Sequence, residues 1–169
     1  DKEAAIEKLS TKIDSMTASS AKLKEEVATL QKELASLARA QAEMDKLRAE
    51  EKAAFDTNSA EMKKGVEGIK LALKVLNEYY AKDKSHASAD GAGSGIIGLL
   101  EVCESDFSKG LAEMKAAEES AISAYEQGSK ENEIEKVTKE QDVKYKTKES
   151  AGLDKAVAEL SSDKEGVET

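Results

Sequence analysis

The sequence predicts an all-α protein: a long antiparallel helical hairpin held by a coiled-coil seam. Three observations predict it. Charged residues make up 36% of the chain, aromatic residues only 4%, and there is no proline. That mixture marks coiled coils and long helices, and without proline no ring interrupts a helix. Apolar residues recur with a seven-residue period. A single polar, Gly-rich stretch then divides the chain into two arms.

The hydrophobic fraction, 39%, includes many alanines, whose methyl groups bury little area. A narrow seam between helices is therefore expected in place of a broad core.

The first arm is residues 1–82. Counting from Ile6, one heptad position reads Ile6, Ile13, Ser20, Val27, Leu34, Gln41, Arg48, Phe55, Met62, Ile69, Leu76. Its companion, three residues later, reads Leu9, Met16, Leu23, Leu30, Leu37, Met44, Glu51, Asn58. These are positions a and d. The fit is dense from Ile6 to Leu37 and from Met62 to Leu76, and it thins between Gln41 and Asn58. Gly65 and Gly68 each lower local helix propensity by about 1 kcal/mol relative to Ala. A fully helical arm of this length would be about 120 Å long.

Residues 83–95 (DKSHASADGAGSG) read as the flexible connector and turn, with Ser94 as an N-cap for the next helix. The second arm is residues 96–162. Ile96, Leu100, Cys103, Phe107, Leu111, Met114, Ala121 and Tyr125 fall three or four apart. Gln127, Gly128 and Ser129 weaken the pattern. Ile134, Val137, Gln141 and Tyr145 continue it thinly, and Leu153, Val157 and Leu160 end it. Residues 163–169 read as a frayed polar tail. The alternative architecture is a four-helix bundle, broken near Asn58 and Gly128.

Net charge is −9 and falls on one side. Residues 1–82 carry 15 basic and 15 acidic residues, whereas residues 83–169 carry 11 and 20. An acidic half repels phosphates and argues against nucleic acid; it suits a basic protein surface. No run approaches the ~20 apolar residues of a membrane span. The one cysteine excludes an internal disulfide framework. The chain starts at Asp1, so it carries no information about a leader segment.

Each candidate motif has a plain structural explanation. Gly93, Gly95 and Gly98, with Glu118 beyond them, match G-x-G-x-x-G. That fingerprint needs a strand before it and after its helix, and the pattern here supplies neither; a turn with a close-packed Gly98 is expected. His86, the only histidine, lies in the connector, and a lone histidine builds no His-rich metal site or Ser-His triad. Cys103 reads as a small buried hydrophobe on the apolar face. Glu101, Glu104, Asp106, Glu113, Glu118 and Glu119 form an acidic run without a calcium-loop pattern; docking on a basic surface is its functional reading. Tyr79 and Tyr80 close the seam or anchor a partner. Lys136, Lys139, Lys144, Lys146 and Lys148 are interleaved with acids, as on a salt-bridged helix surface. No nucleophile, base and orienting group come together, so an enzyme is not expected.

Residues 41–51 (QAEMDKLRAEE), 69–80 (IKLALKVLNEYY), 94–107 (SGIIGLLEVCESDF) and 141–149 (QDVKYKTKE) together resemble a dinoflagellate family of coiled-coil-rich proteins. The likeness spans Gln41 to the C-terminus. Members of that family continue past the equivalent of Thr169, which implies a longer chain here. The resemblance also implies a chloroplast, thylakoid-associated setting and an accessory role in a photosystem I–antenna supercomplex. No cofactor is expected, and any pigment contact in such a setting would be peripheral.

The expected function is a non-catalytic structural linker that docks on other protein subunits, membrane-complex subunits among them. Phe55, Tyr79, Tyr80, Ile96 and Ile97 are its expected apolar contacts, with Glu101, Glu104 and Asp106 steering it. The alternative is a self-associating scaffold or filament, in which Ser20, Gln41 and Arg48 set register and copy number.

Overall fold

A computed structural model describes the backbone of residues 2–82 and 90–169, and the side chains of 2–81 and 95–169. The fold is an all-α hairpin of two long helices packed on one another, α1 (Lys2–Lys82) and α2 (Asp90–Glu168). Neither helix breaks near Asn58 or Gly128, so the four-helix alternative is corrected. Propagating an existing helix costs far less than starting a new one, and the seam residues on both sides of each weak point hold it helical. Ser129, beside Gly128, accepts a hydrogen bond from Gln41 Nε2 at 3.0 Å.

Two boundaries also move. The second helix starts at Asp90, not residue 96. Ser94 therefore lies inside it rather than at its N-cap position, and Gly93, Gly95 and Gly98 lie in its first turns. Glycine propensity is a weak prior that tertiary context overrides. The helix also continues through residues 163–169 as far as Glu168. Lys164 and Val167 are still half-buried there, and Lys164 meets Glu168 at 3.8 Å. Residues 83–89 of the expected connector, His86 included, lie outside the described residues.

The arms are helices rather than compact units. The chain packs as two units, each with a segment of both helices: Asp1–Glu43 with Gly128–Thr169, and Met44–Gln127. In the first unit, Ser20, Glu26, Glu33 and Gln41 meet Asp154, Lys146, Lys139 and Asn132 in turn. In the second, Asp45, Arg48, Met62, Gly65 and Lys70 meet Tyr125, Glu118, Gly110, Phe107 and Glu104. One number rises as the other falls, so both units are antiparallel.

The a positions read from Ile6 hold: each from Ile6 to Leu76 is buried or half-buried, and the d positions from Leu9 to Met44 are half-buried, whereas Glu51 and Asn58 are exposed. On α2 the inward register runs Ile97, Glu104, Leu111, Glu118, Tyr125, Asn132, Lys139, Lys146, Leu153, Leu160, Val167, all half-buried. Among the described residues Val66 is the buried hydrophobe, and Ser20 and Ser150 are the buried polar residues. The interior is a narrow seam with polar layers. Ser20 donates to Asp154 Oδ1 at 2.5 Å. Asn132 Nδ2 donates to Gln41 Oε1 at 2.9 Å.

The middle of α2 departs from expectation. Ile134, Val137, Gln141 and Tyr145 do not continue the seam; all are exposed. Asn132, Lys139, Val143 and Lys146 take the inward positions. Opposite them stand Gln41, Glu33 and Glu26. Lysine stems cover apolar surface while their ammonium groups reach these carboxylates.

Candidate functional site

Surfaces, not pockets, carry the functional signal. Large apolar side chains stand outside the seam in each unit.

In the second unit, α1 exposes Leu71 (63%), Val75 and Tyr79, spaced by four. Helix α2 exposes Ile96, Leu99 (68%), Val102, Cys103 and Phe107. Such spacing places residues on one helix face. Leu71 and Leu99 hold heptad position c. Val75, Ile96 and Cys103 hold g. When two helices run antiparallel, position g of one lies beside g of the other, so both stripes open to the same side of the pair. Phe107 bridges them: a Cβ placed on Gly65 would sit 3.2 Å from its ring. Gly65 is thus the seat that lets Phe107 lie across α1.

In the first unit, Ile134 (59%), Val137 and Tyr145 (67%) are exposed on α2. Ile134, Val137 and Gln141 point away from the seam positions Asn132, Lys139 and Lys146. Lys130, Lys144 and Lys148 are exposed on the same outer face. This is a separate stripe, apolar in the middle, with Lys130, Lys144 and Lys148 along it and Glu133 and Glu140 beside Val137.

The expected contact residues scatter. Tyr79 and Ile96 are on the exposed face. Tyr80 packs edge-on against Tyr79, ring centroids 5.3 Å apart. Phe55 and Ile97 are half-buried seam residues, because both occupy inward heptad positions. Glu104 also faces the seam, pairs with Lys70 at 3.4 Å and accepts from Ser108. Glu101 and Asp106 are exposed, but five residues put them about 140° apart around the helix. The acidic run is not one surface. Cys103 is exposed, not buried, since position g faces the flank of the seam. Gly98 packs against nothing within 4 Å, so its close-packing role is corrected as well. Leu71, Val75, Leu99 and Val102 were not legible as contact residues in the sequence. Their signal was apolar character out of phase with a and d.

Charged residues in the seam act on one another. Glu118 holds the Arg48 guanidinium above its usual range. Glu33 raises Lys139 and Glu26 raises Lys146. Lys146 in turn lowers Glu26, while Lys24 and then Ser20 lower Asp154. These are side-chain hydrogen bonds to the charged form. Each favours the charged form of its partner and ties α1 to α2 at that level.

Among the described residues, no three His, Cys, Asp or Glu side chains cluster to hold a metal. Among them, too, no helix is long and apolar enough to cross a membrane.

No family model matches the chain, and no curated protein or solved structure does either. The fold and these surfaces are therefore the main basis for a functional reading.

Proposed function

We propose that this protein is a non-catalytic structural linker. One observation carries the reading: each unit exposes its own apolar surface, outside the seam that holds the hairpin. A linker needs two contact surfaces, and patches of exposed apolar residues mark interaction sites. The stripe of Ile134 and Val137 suits a partner that is apolar in the middle and places acids opposite Lys130, Lys144 and Lys148. This differs from the basic partner that the net charge suggested, since the acids of the second half are spread around the helix. The family likeness makes the photosystem I–antenna supercomplex of the thylakoid the first assembly to test.

The test is cross-linking in a native extract, read by mass spectrometry. Links from Lys130, Lys144 and Lys148 to one other subunit, lost in Ile134→Asp, support the linker. A chain recovered only free, with links confined to its own residues, refutes it.

A self-associating scaffold is the second reading, and the face of the second unit favours it.

A further inference from the structure

We propose that the exposed face of the second unit closes on the same face of a second copy of this chain, about a two-fold axis running along the helices. The inference rests on reading that face as a docking surface, and it names the occupant.

Area is the first argument. Weighted by their exposure, Leu71, Val75, Tyr79, Ile96, Leu99 and Phe107 leave roughly 500 Å² of apolar surface open, near the upper limit for a monomer. A stable dimer takes about 800 Å² from each partner, a little over half of it apolar. The face supplies that apolar share.

The second argument is self-complementarity. Phe107 over Gly65, Gly110 beside Met62, and Lys70 with Glu104 fix which residues of the two helices lie level. On the scale of the two glycine contacts, Leu71 lies within about two residues, or about 3 Å, of the level of Leu99, and so do Val75 and Ile96, Gly68 and Cys103, and Lys64 and Asp106. A two-fold axis along the helices lays α1 of one copy over α2 of the other at unchanged height. Each residue then meets its own level counterpart from the second copy. Leucine meets leucine and valine meets isoleucine. Gly68, where an added Cβ would have nothing within 4 Å, receives the small Cys103. At the rim, Lys64 meets Asp106; both are exposed. Two-fold symmetry repeats every one of these contacts. The product is a local four-helix bundle with alternating antiparallel neighbours.

Sedimentation velocity on the full chain, from about 1 to 100 μM, tests this at the micromolar affinities such an interface reaches. The expected species has twice the 18.1 kDa chain mass. Leu99→Asp should give a monomer with unchanged helical circular dichroism. Lys64→Glu and Asp106→Lys should each raise the dimer dissociation constant roughly tenfold, because symmetry counts the rim pair twice, and the double exchange should restore it. A monomer at every concentration overturns the proposal. So does a dimer that survives Leu99→Asp, or one in which the double exchange restores nothing. A monomer that still joins a large assembly through Ile134 overturns the pairing but leaves the linker standing; a dimer found in no larger assembly does the reverse.

Discussion

Arg48 and Glu118 face each other across the second unit as an ion pair, and each side chain is only 12% exposed. Arg48 also reaches Glu51 at 3.2 Å. Both partners sit at inward heptad positions where a coiled coil ordinarily holds leucine. Removing one member of a screened pair strands the other, whereas replacing both by apolar residues of similar size is often neutral or stabilising. Arg48→Met should therefore lower the thermal midpoint clearly more than Lys52→Met, which breaks an exposed pair with Asp56. The double variant Arg48→Met, Glu118→Met should recover or exceed the parent. Unfolding followed by circular dichroism decides it.

Gly65 and Gly152 give a matched test of packing against propensity. Each replacement by Ala removes a helix penalty of about 1 kcal/mol. At Gly152 nothing lies within 4 Å of the new methyl, so Gly152→Ala should stabilise by about that amount. At Gly65 the methyl meets the Phe107 ring at 3.2 and 3.3 Å, so Gly65→Ala should gain less or lose. Denaturant midpoints of the two variants check the order.

The polar layer of Gln41, Ser129 and Asn132 trades stability for register. Polar residues at a positions fix pairing at a cost in stability. The double variant Gln41→Leu, Asn132→Leu should be more stable by about 1–3 kcal/mol and also sample additional association states. Thermal unfolding and sedimentation together read both effects. A less stable variant that keeps one state would show that the layer is not a register device.

Acid should loosen the first unit through its ion pairs. The folded-state pKa of Glu26 lies below its ordinary 4.5, and that of Asp154 below its ordinary 3.8. Their contribution is complete above those ordinary values and is lost as the pH falls through the lowered ones. Lys139 and Lys146 are raised above 10.5. Theirs is complete below 10.5 and lost as the pH rises through the raised values. Stability should thus be flat through neutral pH and fall on both sides. Lys146→Met with Glu26→Gln should flatten both limbs, read by unfolding midpoints from about pH 2 to about pH 12.

Composition and heptad spacing were enough to specify the helices and one half of the seam. Without proline and with abundant helix formers, a helical chain was the accessible fold. The heptad from Ile6 to Leu76 is written in residues whose burial is mostly favourable in any partner arrangement, so its register could be counted. The partner half could not be counted. In α2 the inward positions at Glu118, Asn132, Lys139 and Lys146 are polar or charged, and each is favourable only because Arg48, Gln41, Glu33 and Glu26 stand opposite. A charge on a seam depends on what faces it, and a single strand of sequence does not state that. The same dependence turned Ile134, Val137, Leu71 and Leu99 outward: apolar residues follow the seam only where the pairing leaves them room in it. The tertiary structure alone decided which apolar residues hold the hairpin and which remain for a partner.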